Sequence, residues 1–185
     1  MLPPRIMLRR ALAFAFCAAA VLAPRAAGAF CRTTTVSAPA DFDPVSKECW
    51  KQGKPLFWRS SCLQFSLQEG GTKQLPFATV QELTRRGFEA WANVSCGTGQ
   101  PSLSFAEGPA VACTTVQYNK NGWPNANVVV FRDDQWPHAD AFNTVALTTV
   151  TFNYETGEIY DADIEINTQV RSFRADDNLP GNAYD

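Results

Sequence analysis

VALTTVTFNYETGEIYDADIEIN, residues 145–167, decides the fold. Val145 to Tyr154 is rich in threonine and valine, as strands are. Glu155-Thr156-Gly157-Glu158 is a turn in which Gly157 is free to take positive φ. Ile159 to Asn167 is the return strand. Successive side chains of a strand point to opposite faces, so Tyr160, Ala162, Ile164 and Ile166 share one face. Asp161, Asp163, Glu165 and Asn167 share the other.

Upstream of this hairpin, Asn127 to Phe131 is apolar throughout and suits a strand covered on both faces. Leu103 to Phe105 is a short strand, and Asn119 to Asn125 is rich in turn residues. Arg132 to Phe142 is a polar, aromatic loop holding Asp133, Asp134 and the only histidine, His138. Further upstream a helix is expected. Thr79 and Glu82 fit a capping box, and Val80, Leu83, Phe88 and Trp91 keep one apolar stripe. Arg85 and Arg86 face away from it. Cys62 to Gln68 alternates as a strand, with Leu63, Phe65 and Leu67 on one side. Residues 168–185 read as a loop. This order predicts an α+β domain: a twisted mixed sheet with one helix packed across it.

The chain is 185 residues long, 45% hydrophobic, 12% aromatic and 18% charged, room for one ordinary domain and not a disordered composition. Residues 1–29 read as a signal peptide: Arg5, Arg9 and Arg10, an apolar run from Ala11 to Leu22, then Ala27-Gly28-Ala29. A secreted, extracellular product is therefore expected. No later stretch is long and apolar enough to span a membrane. Cleavage would remove four arginines and no acid, taking the formal charge from −2 to −6. That balance offers nothing to attract nucleic acid. Residues 30–55, with Pro39, Pro44, Pro55 and two cysteines, read as an extended arm that is stapled rather than packed, and 56–185 as the folded body.

Five cysteines follow the leader, and an oxidising compartment favours two disulfides. Cys96 and Cys113 flank a strand and form the expected pair. The second bridge draws on Cys31, Cys49 and Cys62, in a pairing that spacing does not fix.

Three features could carry chemistry. Asp161, Asp163 and Glu165 are same-face neighbours ~6.6–6.8 Å apart along a strand. Their ordinary reading is a solvated face. They could also bind calcium, or serve as a carboxylate pair. His138 lacks a Gly-x-Ser-x-Gly nucleophile and reads as a surface histidine. Val145 to Thr151, if it lies at a sheet edge, could pair its backbone with an extended peptide, unless loop or neighbouring chain protects it. Asn93-Val94-Ser95 is a glycosylation sequon.

Over residues 30–185 the chain resembles the N-terminal half of the catalytic domain of secreted bacterial matrixin-like zinc metalloproteases, of the metzincin clan. The resemblance rests on Phe30-Cys31-Arg32-Thr33-Thr34-Thr35, and on Pro55-Leu56-Phe57-Trp58 with Cys62. Phe88-Glu89-Ala90-Trp91 with Cys96 and Leu103-Ser104-Phe105 adds to it, and Thr156 to Asn167 is its most specific block. It implies a zinc endopeptidase whose second helix carries His-Glu-x-x-His-x-x-Gly-x-x-His. Three histidines there hold zinc, and the glutamate activates the bound water. Residues 161–167 resemble the last strand before that helix, and Asn178 to Asp185 the loop leading into it. The zinc ligands and general base are absent from residues 1–185, so a fragment inactive alone is expected.

The resemblance also implies an edge strand that pairs with substrate main chain, here Ala146, Leu147, Thr148 and Thr149. It implies structural calcium as well, for which Asp161 and Asp163 are the first acids to consider. The partner so implied is a peptide or protein substrate. A stand-alone exported module binding peptide, glycan or calcium is the alternative.

Overall fold

A computed structural model describes residues 31–43, 49–95, 99–121, 125–175 and 183–184. The signal peptide expected over residues 1–29 lies outside the described residues. The unit formed by Arg32–Asp185 is built on a five-stranded sheet. Its elements are β1 (Cys62–Leu67), α1 (Phe77–Asn93), β2 (Ser104–Glu107), β3 (Asn127–Phe131), β4 (Ala146–Phe152) and β5 (Ile159–Ile166). The strand order is β2-β1-β3-β5-β4. β1, β2, β3 and β5 run parallel, and β4 is antiparallel to β5. This is the mixed sheet with one helix that the strand and helix patterns predict. Residues 172–173 (β6) and 183–184 (β7) pair in parallel, so the tail expected to be loop contains two short strands.

The helix covers one face of the sheet. Leu67, Val80 and Val129 are its buried centre, with Leu75, Phe77, Phe88, Phe131, Ile164 and Ile166 packed around them. Phe88 stacks on Phe65 at 4.2 Å between ring centroids and lies 4.9 Å from Phe105, which ties α1 to β1 and β2. Val128, Val129 and Val130 are all buried, as a strand covered on both faces requires.

The helix start differs from expectation. Pro76 is the N-cap, and no side chain caps the first turn. Thr79 and Val80 both donate their amides to Pro76 O. Glu82 pairs instead with Arg85, which also reaches Glu89. Proline lacks an N–H, so it opens a helix without leaving a donor unmet.

Cys31 and Cys49 are disulfide-bonded and staple the arm. Arg32 binds Leu56 O through Nε and Nη2 at 3.0 and 2.7 Å. The segment just after the arm meets the tip of the β4–β5 hairpin: Phe57 N donates to Gly157 O, and Ile159 N to Phe57 O. Gly157 has φ +84°, as the turn requires, and a Cβ there would stand 2.4 Å from Pro55 O. Cys113, expected to pair with Cys96, carries a free thiol that donates to Thr115 O at 3.2 Å. Cys96 itself lies outside the described residues. Cys62 is also free.

Candidate functional site

β5 is held between β3 and β4, so both its hydrogen-bonding edges are occupied. The acidic face is the correction to the sequence reading. Asp161, Asp163 and Glu165 are 3%, 2% and 1% exposed, not solvated. Asp163 and Glu165 find their partners on other segments. Asp163 accepts the amides of Val128, at 2.8 Å, and of Gln117. Glu165 takes Arg132 Nε at 2.6 Å on Oε1 and faces His138 Nε2 at 2.6 Å on Oε2. Arg132 also donates to Thr114 O at 2.7 Å. His138 is exposed, as its loop position predicts, and also faces a buried carboxylate. Asn167, fully buried, donates to Ala141 O and Thr144 O, both at 2.8 Å.

Asp161 has the most perturbed environment. Burial first, then the charge of Asp163, then donation of its own proton to Asp163 push its pKa from 3.8 up to about 7. Burial also raises Asp163, against the amides that stabilise its charge. The arrangement is one acid donating to another beneath a loop, and it does not fit calcium. Calcium takes six to eight oxygens. Here amide N–H groups occupy the carboxylate, and among the described residues no group of three or more His, Cys, Asp or Glu is placed to hold a metal. Zinc does not fit either. The sequence has one histidine, and it faces Glu165.

The accessible chemistry lies one strand further out. β4 is an edge strand, and Ala146, Leu147, Thr148 and Thr149 are all exposed. Asn167 N donates to Val145 O at 2.9 Å, so Val145 and Asn167 are a hydrogen-bonded pair. By the alternation of an antiparallel ladder, Leu147 and Thr149 also bond to β5. The backbone N–H and C=O of Ala146, Thr148 and Val150 therefore point outward. Side chains divide too. Ala146 and Thr148 lie opposite Ile166 and Ile164, on the helix side, and Leu147 and Thr149 lie opposite Glu165 and Asp163.

The two edges of the sheet are built differently. β2 has four residues, and its Glu107 is bound by Gln81. β4 has seven, with no charge and no proline, and its one bulge falls at Thr151/Phe152, past the exposed half. Charges, prolines and bulges are the usual protection of an edge, and residues 146–150 have none.

No family model, curated protein or solved structure matches this chain.

On the helix side of β5 an open apolar groove of about 310 Å³ runs between α1 and the sheet. Leu83, Phe88, Trp91, Phe131, Ile164 and Ile166 line it, and Trp91 is 72% exposed. Gly87 also lines it, leaving the helix surface flat there. The sequon residue Asn93 is the last of α1 and is exposed. Sequence reasoning singled out the β4 residues and the acids. It missed Arg132, Gln117 and Asn127, which seal the acidic face or stitch strands: Asn127 bonds Gln64 O and Ala162 N at once. These contacts span more than thirty positions of sequence, and no local pattern announces them.

Proposed function

We propose that this chain is the substrate-strand portion of a secreted matrixin-like zinc endopeptidase, holding an extended peptide along β4. The observation that carries the reading is the unprotected run Ala146–Val150, whose outward amides and carbonyls are those a peptide main chain would pair with. The apolar groove supports it. An exposed stripe from Leu83 to Trp91 beside Ile164 and Ile166 is the kind of surface a further helix covers. Residues 1–185 contain no His-Glu-x-x-His motif, so the chain positions substrate and does not cleave it alone.

A stand-alone peptide-binding module would use the same edge. It would differ in having no need of an uncovered groove.

The test is binding of a labelled, capped, uncharged peptide of alanine, threonine and leucine to the purified chain, by fluorescence anisotropy. Thr148→Pro removes an outward N–H and spares the β5 ladder, which edge strands tolerate. It should weaken binding at least about tenfold. Equal affinity would overturn the reading. Casein should survive incubation with the chain and zinc; chelator-sensitive cleavage would overturn the claim that the chain does not cleave alone.

A further inference from the structure

Phe142 is 77% exposed, yet it sits on a tightly held turn. Asn143 N and Thr144 N both donate to Asp140 O at 3.1 Å, and Asn143 Nδ2 donates to Asp140 Oδ1 at 2.8 Å. Asp140 has φ +56°, the one left-handed non-glycine among the described residues. The turn is pinned from below. The buried Asn167 amide donates to the carbonyls of Ala141 and Thr144, on either side of Phe142. The left-handed aspartate opens a turn whose Ala141 and Thr144 carbonyls are held by a buried side chain. Its product is an aromatic ring displayed to solvent at the Ala146 end of β4.

The face is fixed as well. Asn167 shares its side of β5 with Glu165, and Leu147 lies opposite Glu165. The turn held by Asn167, and Phe142 with it, therefore belongs to the Leu147 side of the sheet. A peptide pairing with β4 would exchange hydrogen bonds opposite Ala146 and Thr148. Its residue between them would stand opposite Leu147, with Cβ atoms ~4.5–5.5 Å apart. That side chain would meet Leu147, itself exposed, and the region of Phe142. The next position on this face falls against Thr149, which is polar.

We propose that Phe142 and Leu147 form an apolar subsite that selects one large apolar side chain, such as leucine or phenylalanine, in an extended peptide bound to β4. The inference rests on the edge-strand reading and adds its substrate preference.

The experiment walks a single leucine, or a single serine, through labelled, capped hexapeptides of alanine and threonine, titrated against the purified chain. At one position leucine should bind about tenfold tighter than serine. Phe142→Ser should erase most of that ratio, and Phe142→Leu should restore it. A ratio that survives Phe142→Ser, while Thr148→Pro still weakens binding, overturns the subsite and leaves the edge standing. No binding by the wild-type chain, or no effect of Thr148→Pro, overturns both. Sedimentation velocity supplies a further arm. A dimer that dissociates in Phe142→Ser would make a second copy the occupant, and this proposal would fall.

Discussion

Asp161 stabilises the fold only while it keeps its proton. Its folded pKa of about 7 lies above the ordinary 3.8, so its contribution is fully present below about pH 4 and is lost as pH rises through 7. Asp161→Asn keeps a donor to Asp163 and cannot ionise. It should raise Tm at pH 8 by several degrees and leave Tm at pH 4 nearly unchanged, in thermal melts followed by circular dichroism. An equal shift at both pH values would show that ionisation is not the cause. Calcium should leave the same melts within about 1 °C, because Asp163 already accepts the amides of Val128 and Gln117. Gly157→Ala forces a side chain into left-handed backbone and against Pro55 O. A loss of at least about 2 kcal/mol is expected, read as a lowered urea midpoint.

At the scale of elements, β4 carries a sharper test, because adjacent positions differ in which way their amides point. Thr149→Pro removes a donor to β5 and should cost more than about 1 kcal/mol of stability, whereas Thr148→Pro should cost much less. Similar losses at the two positions would show that the ladder is not the one inferred from the Val145–Asn167 bond. The hairpin and helix were readable because period-2 and period-3.6 patterns are local. What alternation cannot tell is which face lies inside. The acids of β5 looked solvated because Asp, Asp and Glu on one side of a strand usually are. Burial here depends on Arg132, Gln117 and Val128, whose amides and guanidinium arrive from other segments. The helix start was misplaced for a related reason. Thr79 and Glu82 have the spacing of a capping box, but Pro76 accepts the first amides and Arg85 draws Glu82 away.

At the scale of the whole molecule, the edge and the groove lie on one sheet, and the mixed α+β architecture followed from the order of its elements. Bridge pairing was not readable, since Cys31 had both Cys49 and Cys62 within reach in sequence. The groove makes a separate prediction. The native chain should enhance the fluorescence of an anilinonaphthalene dye, and Trp91→Ser should lower that signal with Tm within about 1 °C, because Trp91 is mostly exposed. Unchanged emission would place the dye elsewhere. The strand order has a consequence for synthesis. β5 lies between β3 and β4 but is translated after both, so as the nascent chain leaves the ribosome β4 has nothing to zip onto until β5 emerges. β1 can pair with β2 and β3 before then, but closure of the sheet around β5 waits for residue 166.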